Sequence, residues 1–306
     1  MQKLPKKLRK MRKNRKHGNN TKTFISIVIV CLFAFVIYQF NDNKTLPPLT
    51  PDGISVHFIN VGQGDSALIK AFDTNILVDA GPNIQSEIVP KYLRSYGVER
   101  IDLLVATHPH ADHIGGMAAV VSGFEIGEIV MPELPYSLTP TTKTYRNLLD
   151  AIAEKELSVT IARQGLVYTF GEVTAEILGP VQKFADSENN NSAVIKVTYD
   201  GKSVLIGGDI EKEAENALIE SGQDLRANIL KISHHGSNTS STVGFLDAVR
   251  ADFFVISCGN DNQYGHPHAE VIARLERFNK LILRTDLYHN IIFDLTESIS
   301  VFHSRS

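Results

Sequence analysis

Residues 107–113, with the sequence THPHADH, constrain the fold most, because they directly follow an apolar stretch. That stretch, residues 101–106, is short and rich in Leu and β-branched residues, which predicts a buried β-strand. Pro109 has no backbone N–H to donate, so strand pairing should stop within the motif. The strand would carry imidazoles and a carboxylate to its C-terminal edge, where layered α/β folds commonly bind ligands. A His-rich surface loop is the alternative, but the density of the cluster favours a metal site.

The spacing within this motif indicates how many metal ions it serves. His108 and His110 are two residues apart and can close on one ion, whereas Asp112 and His113 are adjacent and must diverge, which suits a second ion. Imidazole and carboxylate ligands suit Zn or Mn, and two ions about 3.5–4 Å apart can hold both the attacking and the leaving oxygen of a displacement. We therefore predict two divalent ions, Zn or Mn, as cofactors. The motif is too short to complete two coordination shells, so further ligands must come from downstream.

Three later apolar stretches also read as strands that end in metal-ligand residues. They are, in chain order, residues 204–206 before Asp209, residues 227–233 before His234 and His235, and residues 253–257 before a loop with His266 and His268. Asp209 stands where a bridging carboxylate is needed, although Gly-Asp is also a common turn. Each of these side chains alone has an ordinary explanation as a capping or core residue. Together with the first motif, these strand ends argue against coincidence.

Seven motifs in this order resemble those of a known family. They are residues 58–66 (FINVGQGDS), 76–81 (ILVDAG), the His-x-His-x-Asp-His run, 188–192 (ENNNS), 208–209 (GD), 234–237 (HHGS) and 264–268 (YGHPH). From about Ile54 to Phe302 the chain resembles the metallo-β-lactamase superfamily, and more narrowly the extracytoplasmic hydrolase-like domain of the ComEC/Rec2 competence proteins. The resemblance implies an α/β fold, an αββα sandwich with a dinuclear centre at one sheet edge. It also implies hydrolysis by a water that the two ions activate.

The resemblance assigns the metal ligands by position. They are His108, His110, Asp112 and His113 in the signature motif, Asp209 as the bridging acid, and a final histidine. That histidine follows a helix and a strand in the superfamily, which selects His266 first and His268 second.

One departure from the superfamily concerns the first ion. Many members place a histidine ligand before the strand that leads to the bridging acid, whereas residues 189–192 here are NNNS, as in the competence branch. An amide is a weak ligand for a divalent transition metal. The first site is therefore expected to be weaker, to use a water, or to prefer a harder ion such as Mn²⁺. Asn189 and Asn190 are candidate substrate contacts instead.

The same resemblance suggests roles in catalysis. Asp112 is the expected orienter of the attacking water. His234 and His235 are candidates to ligate, to protonate the leaving oxygen, or to donate hydrogen bonds to a phosphoryl oxygen, and Ser237 could assist them. The alternative for the histidine pair is a structural role under the sheet edge.

Residues 61–67 satisfy the loose Gly-x-Gly-x-x-Ala form of a dinucleotide-binding loop, but their context does not fit. A short alternating strand follows them rather than a helix whose N-terminus could face a pyrophosphate. We interpret them as a tight turn between strands. Asp65 would then be an outer acid that holds a ligand imidazole, or a structural Asx turn. Asp79 is a further outer acid or alternative ligand, as is His268.

The N-terminal region differs sharply from the rest of the chain. Residues 1–22 hold ten of the 31 Lys and Arg residues and no acid, so residues 23–306 carry 21 basic and 34 acidic residues, a formal charge of −13. Residues 24–40 are uncharged and almost wholly apolar, which predicts an uncleaved transmembrane signal-anchor over residues 23–40. The positive-inside rule places the basic tail in the cytoplasm and the hydrolase outside the cell membrane. A nucleic-acid-binding arm is the alternative for the basic tail.

The remaining chain divides into a tether, residues 41–53, and one hydrolase domain, residues 54–306. Within the domain, residues 86–97, 148–157 and 211–221 have the apolar spacing of amphipathic helices. Residues 131–144 are rich in Pro and Thr, which fits a flap beside the site or a solvated loop.

The sequence leaves three functions open. The first is a membrane-anchored phosphodiesterase or nuclease that acts on DNA, the second is an esterase of a phosphocholine- or teichoic-acid-type envelope polymer, and the third is a non-catalytic, metal-stabilised binding module. The intact ligand run favours a hydrolase over a binder. The acidic domain argues mildly against tight non-specific nucleic-acid binding, which needs clustered Lys and Arg. The partners we expect are therefore the lipid bilayer and either DNA or a phosphodiester polymer.

Overall fold

Two β-sheets form the centre of residues 53–304, the part of the chain that the computed structural model describes. The strands, in chain order, are β1 (Ile54–Phe58), β2 (Ala67–Ala71), β3 (Thr74–Val78), β4 (Arg100–Val105), β5 (Glu125–Met131), β6 (Val159–Ile161), β7 (Leu166–Phe170), β8 (Val173–Gly179), β9 (Val194–Tyr199), β10 (Lys202–Ile206), β11 (Ile229–Lys231), β12 (Phe253–Ile256), β13 (Leu281–Arg284), β14 (Ile291–Asp294) and β15 (Ser300–His303). The first sheet has the order β15-β14-β1-β2-β3-β4-β5-β6, and the second has the order β13-β12-β11-β10-β9-β8-β7.

Helices cover the outer faces of both sheets. They are α1 (Ile88–Ser95), α2 (Ala111–Ile114), α3 (Met117–Gly123), α4 (Lys143–Glu154), α5 (Lys212–Glu220), α6 (Val243–Val249), α7 (Ala269–Glu276) and α8 (Thr285–Tyr288), with 3-10 turns at Asn83–Gln85, Tyr136–Leu138, Asn189–Asn191 and Ser233–Gly236. The apolar side chains of α1, α3 and α4 pack on the first sheet, and those of α5, α6 and α7 pack on the second.

Alternate side chains of the central strands enter different cores, because successive residues of a strand point to opposite faces. In β4, Leu103 and Val105 pack between the two sheets, whereas Leu104 packs under the helices of the first sheet. In β10, Val204 lies between the sheets and Leu205 lies under the helices of the second sheet. Strands buried on both faces explain the continuous apolar runs in the sequence. The predicted αββα sandwich is confirmed.

Three parallel strands of the second sheet have their carboxyl ends at one edge of that sheet. Strands β10, β11 and β12 are parallel neighbours, and Ile206 pairs with Lys231, which in turn pairs with Val255. Asp209 lies three residues after Ile206, and His234 lies three residues after Lys231, so both side chains reach the same edge of the sheet. In the first sheet β3, β4 and β5 are also parallel, so the motif after β4 emerges at the carboxyl end in the same way.

The predicted helices form, and the one predicted over residues 148–157 is shifted at both ends. Helix α4 ends at Glu154 and begins at Lys143, five residues before the predicted start at residue 148. The cause is Thr142, whose side chain accepts a hydrogen bond of 3.2 Å from the backbone N of Tyr145 and so caps the first turn. The polar first turn lacks the apolar spacing from which the helix was predicted.

The predicted basic tail, the transmembrane segment over residues 23–40 and nearly all of the tether lie outside the described residues. Within residues 53–304, no helix is long and apolar enough to cross a membrane. The domain boundaries at residues 22, 40 and 53 stay predictions.

Candidate metal centre

The candidate centre lies where the carboxyl ends of strands from both sheets meet. The loop after β4 supplies His108 and His110, and the short helix α2 supplies Asp112 and His113. From the second sheet come Asp209, three residues after β10, and the 3-10 turn that follows β11. Gly208 permits the turn after β10 to lie close to the loop after β4. Its φ is +56°, and a Cβ there would lie 2.6 Å from Thr107 Cβ.

Three sets of side chains in the described part of the chain have the mutual spacing of metal ligands. We call them the inner group (Asp112, His113, Asp209 and His235), the outer group (His108, His110 and Asp209) and the third group (Asp65, Asp79 and His113). Asp209 is common to the inner and outer groups, which is the position that a bridging carboxylate must occupy. The structure thus brings together five of the six side chains that the sequence predicts as ligands.

The inner group has the dimensions of a metal site. His113 Nε2 lies 3.3 Å from Asp209 Oδ2, and His235 Nε2 lies 3.5 Å from the same atom and 3.2 Å from Asp112 Oδ2. Ligand bonds of about 2.0–2.2 Å in tetrahedral geometry separate two donor atoms by roughly 3.3–3.6 Å. The buried Nε2 atoms of His113 and His235, and Asp209 Oδ1, have no hydrogen-bond partner in residues 53–304. A divalent ion fits this group, since it would satisfy these atoms.

The outer group is more open and offers fewer donors. His108 Nε2 lies 2.9 Å from His110 Nδ1 and 3.8 Å from Asp209 Oδ2. The His110 side chain is 43 % exposed, whereas His108 is fully buried. No fourth protein ligand belongs to this group among the described residues. Asparagines occupy the segment where many superfamily members have a histidine, as the sequence indicated.

The second nitrogen of each imidazole is held by an outer partner. His108 Nδ1 lies 3.2 Å from Thr107 Oγ1, His110 Nε2 lies 3.0 Å from Glu188 Oε2, His113 Nδ1 lies 2.8 Å from Asp79 Oδ2, and His235 Nδ1 lies 3.0 Å from the carbonyl oxygen of Ser257. Such contacts fix the tautomer and leave the other nitrogen free to ligate. In all four rings, the other nitrogen is the one that faces the remaining side chains of the inner or outer group.

Asp79 is the best-held of these outer partners. Its carboxylate accepts hydrogen bonds from the backbone N and Oγ1 of Thr107, at 2.8 and 2.6 Å, and from His113. Burial raises the pKa of Asp79, and the hydrogen bonds from Thr107 and the charge of His113 oppose that rise. The structure therefore places Asp79 as the support of a ligand imidazole, one of the two roles that the sequence suggested.

The electrostatics of the inner group favour cations. Burial would raise the pKa of Asp209, but His113 and His235 outweigh it and hold that pKa well below its ordinary value. Burial would lower the pKa of His235, but the charges of Asp209 and Asp65 raise it to about 9. In His108, burial and the charge of His113 lower the pKa well below its usual range, so this ring stays neutral and able to ligate. Without metal, protons on His113 and His235 would stand in for part of the cationic charge.

The predicted final ligand, His266, lies beside the centre but in none of the three groups. Its ring stacks on that of His235 at 6.2 Å and 28°, and on the exposed Tyr264 at 5.6 Å and 23°. His268, the second choice, accepts a hydrogen bond at Nδ1 from the backbone N of Asn238. The geometry therefore favours His235 as the last ligand, and that role stays a prediction.

The other predicted site residues surround the centre in supporting positions. His234 Nε2 lies 3.9 Å from Asp209 Oδ2, and its Nδ1 contacts Thr239 Oγ1 at 3.2 Å. Ser237 is buried, with its Oγ 3.1 Å from Thr239 Oγ1. Asn190 is also buried, and its side chain accepts from the backbone N of Glu211, so it holds two loops together. Asn189 has a buried Oδ1 without a hydrogen-bond partner in residues 53–304.

A groove of about 290 Å³ adjoins the outer group. It is lined by Pro109, His110, Ala111, Glu188 and residues 137–142. Residues 131–144, interpreted from sequence as a flap or a loop, thus supply one wall of a cleft beside His110. None of the described residues that line the groove is Lys or Arg.

Sequence reasoning missed two side chains at the centre, Lys231 and Glu188. Lys231 is 2 % exposed, and its Nζ lies 2.5 Å from Asp65 Oδ2. The signal was a lone lysine at the end of an otherwise apolar strand. Glu188 stood in a recognised motif, but only the fold shows that it reaches His110.

Comparison with known proteins agrees with this geometry. The family model of the metallo-beta-lactamase superfamily matches residues 59–259. The chain belongs to that superfamily. Among solved structures, a metallo hydrolase from Ignicoccus hospitalis is similar to this chain, with a TM-score of 0.51 and 15 % sequence identity. The similarity covers 82 % of this chain and 100 % of the other. At this identity the likeness concerns the fold alone.

Two curated relatives are similar to this superfamily member over most of its length. ComE operon protein 3 of Bacillus subtilis is 26 % identical over 90 % of this chain and 36 % of its own length. Competence protein ComA of Neisseria gonorrhoeae is 31 % identical over 87 % of this chain and 35 % of its own length. The chain thus spans about a third of the length of the relatives it matches. The predicted resemblance to the ComEC/Rec2 proteins is confirmed, and superfamily membership supports a metal-dependent hydrolase.

Proposed function

We propose that this protein is a metal-dependent phosphodiesterase that acts on nucleic acid. The observation that carries the proposal is the convergence of two acids on one imidazole, since His235 Nε2 lies 3.2 Å from Asp112 Oδ2 and 3.5 Å from Asp209 Oδ2. An outer group that shares Asp209 lies beside it. Divalent ions bound there would lower the pKa of a water and polarise a phosphoryl oxygen. We propose two such ions, Zn or Mn.

The residues of the chain would then handle the proton and the leaving group. The side chain of Asp112 is 31 % exposed, and only its Oδ2 faces His235, so its other oxygen can orient a water and accept a proton from it. His234 stands on the open side of the centre with its side chain 22 % exposed, where its Nε2 can donate a proton or a hydrogen bond to the leaving oxygen. Buried Ser237 supports His234 through Thr239, so it is placed to position this histidine rather than to contact substrate.

Two observations support nucleic acid as the substrate. Two of the relatives with matching sequences are a competence protein and a recombination protein by name. In addition, the rings of His235, His266 and Tyr264 stack in sequence from the inner group to the surface, where Tyr264 is 55 % exposed. An exposed aromatic face beside a hydrolytic centre suits the stacking of an unpaired base.

The charge of the rim favours a second candidate. Glu188 and Glu211 flank the centre against His110 and His234, at 3.0 and 3.4 Å. Among the described residues, the neighbouring groove has four hydroxyl side chains in its lining and no Lys or Arg. An acidic, aromatic rim suits a substrate that carries a quaternary ammonium group beside its phosphodiester. A phosphocholine- or teichoic-acid-type envelope polymer is therefore the alternative substrate.

We also propose that residues 23–40 anchor the protein in the cell membrane with the hydrolase outside the cytoplasm. The support is the uncharged apolar run and the ten basic residues that precede it.

The experiment that tests the function uses purified full-length protein loaded with Mn²⁺. We expect hydrolysis of bis-p-nitrophenyl phosphate and of single-stranded DNA. The Asp112→Asn variant should lose roughly 10²–10⁴-fold in turnover while it stays folded. The matched control is Asp224→Asn. This exposed acid lies in the loop before β11, at the opposite end of that strand from the centre, and pairs with Lys196 and Arg226.

Three results would separate the alternatives. Release of choline phosphate or of a polymer unit, without cleavage of DNA, would replace nucleic acid with an envelope polymer. Binding of a polymer by fully metallated protein that hydrolyses no phosphodiester would favour the metal-stabilised binding module. Equal loss in both variants would remove Asp112 from the catalytic machinery.

A further inference from the structure

Lys231 is a buried cation next to the candidate metal centre. It is the last residue of β11, it is 2 % exposed, and its Nζ lies 2.5 Å from Asp65 Oδ2. Removing an ammonium from water is costly unless a counter-charge and good geometry compensate for it. An apolar residue would fill this strand position at lower cost, so the charge of Lys231 needs an explanation beyond packing.

Asp65 connects Lys231 to both imidazoles of the inner group. Its Oδ1 lies 3.1 Å from His235 Nδ1, and its Oδ2 lies 4.0 Å from His113 Nδ1. The backbone N of Asp65 also donates a 3.1 Å hydrogen bond to the carbonyl oxygen of Asp112. The preceding Gly64 makes that contact possible, because its φ is +146° and a Cβ there would lie 2.3 Å from the same carbonyl oxygen.

The third group of ligand-like side chains contains this same aspartate. Asp65, Asp79 and His113 have the spacing of metal ligands, but Asp65 already has an ammonium within 2.5 Å. The Lys231 side chain thus occupies the place where a third ion would otherwise be attracted. Four buried or partly buried carboxylates surround the centre, namely Asp65, Asp79, Asp112 and Asp209. Two divalent ions would balance these four negative charges, so the ammonium of Lys231 serves Asp65 itself rather than the net charge of the loaded centre.

We propose that Lys231 is a positioning residue for the metal centre. Its ammonium fixes Asp65 against His235, so that His235 presents Nε2 to Asp112 and Asp209, and it keeps the third group free of metal. The inference rests on the proposed metal centre, and it does not depend on the substrate or on phosphodiesterase activity. Lys231 acts through Asp65 and His235 and touches no reacting atom.

The test compares Co²⁺ binding by purified full-length variants. Lys231→Met should weaken the binding of one Co²⁺ ion by roughly 10–100-fold, the usual cost of losing an outer partner of a ligand, and should alter the visible absorption bands of the bound ion. The matched control is Lys196→Met, which removes another buried lysine, on β9, whose Nζ bonds to the carbonyl oxygen of Asp224 at 3.0 Å. The control should keep the wild-type affinity and spectrum.

A double variant separates positioning from a purely structural role. Lys231→Met leaves Asp65 as an uncompensated buried charge, so it should also lower the melting temperature, and it can fail to fold. Lys231→Met with Asp65→Asn removes both charges, so it should recover the melting temperature while the Co²⁺ affinity stays low. Recovery of both quantities, or wild-type Co²⁺ binding by Lys231→Met, would overturn the proposal. Absence of metal binding in the wild-type protein would instead overturn the metal centre itself.

Discussion

At the scale of single residues, Asp209 Oδ2 is the atom that most contacts at the centre share. It lies within 4 Å of four imidazole nitrogens: His113 Nε2 at 3.3 Å, His235 Nε2 at 3.5 Å, His108 Nε2 at 3.8 Å and His234 Nε2 at 3.9 Å. The aspartate itself is 2 % exposed. Replacing Asp209 with a residue that has no carboxylate would deprive both candidate ions of their common ligand. It would also bring the surrounding imidazoles together without a counter-charge between them.

We expect Asp209→Ala to reduce metal content more than any other single replacement of a ligand, because both groups lose a donor. Elemental analysis after dialysis should find about two ions per wild-type chain and fewer than one per variant chain. His110→Ala should remove only the ion of the exposed outer group. Asp224→Ala serves as the control with unchanged content. If Asp209→Ala retains both ions, the bridging assignment is wrong.

The choice between His235 and His266 shows what residue patterns cannot predict. Both follow strands of the second sheet, and both sit in histidine-rich turns. His235 enters the inner group because His234 and His235 adopt φ values of +51° and +53°. Positive φ is uncommon for residues other than glycine and depends on the surrounding structure. Nothing in the local sequence announces it, so the order of elements in the superfamily selected His266 instead.

At the scale of elements, Glu215 links two helices of the second sheet. It lies in α5, is fully buried, and its carboxylate accepts hydrogen bonds from the backbone N atoms of Ser241 and Thr242, at 2.5 and 2.9 Å, at the start of α6. Burial nevertheless raises the pKa of Glu215 from 4.5 to about 7, and the hydrogen bonds only oppose that rise. The folded protein therefore holds this proton more tightly than the unfolded chain does.

The sign of the pH effect follows from that difference. Protonated Glu215 contributes its full stabilisation to the folded protein below pH 4.5, where this residue is protonated in the folded and the unfolded states. This contribution is lost as the pH rises from 4.5 to about 7. The shift corresponds to about 3 kcal/mol of unfolding free energy. We expect Glu215→Gln to lose less stability than the wild type over this range. Thermal unfolding of both proteins in a chelator, at several pH values, measures the difference, and parallel curves would contradict it.

The sequence predicts much of the arrangement of strands and helices, but it does not predict which distant side chains form ion pairs. Apolar runs that end in ligand residues predicted the strands and the edge at which the site lies. Lys231 and Asp65 are an example of what remained hidden, since they are far apart in the chain and each has an ordinary local explanation. Only the packing of β11 beside the turn after β1 shows that the two charges form a pair.

At the scale of the whole molecule, the asymmetry of charge predicts an orientation. Residues 1–22 carry ten basic residues and no acid, whereas residues 23–306 carry a formal charge of −13. We expect a protease added to intact cells to digest the hydrolase domain while residues 1–22 stay protected, because basic segments remain in the cytoplasm. Antibodies against each part would follow the fragments. Digestion of the domain only after lysis would reverse the orientation.

The site takes its ligands from both sheets of the sandwich. His108, Asp112 and His113 follow β4 of the first sheet, and Asp209 and His235 follow strands of the second, about a hundred residues later. An ion bound between them would cross-link the two halves of the fold at their open edge. Metal binding would therefore resist the separation of the sheets as well as prepare chemistry, and the mechanical stiffness of the domain would depend on its ion content.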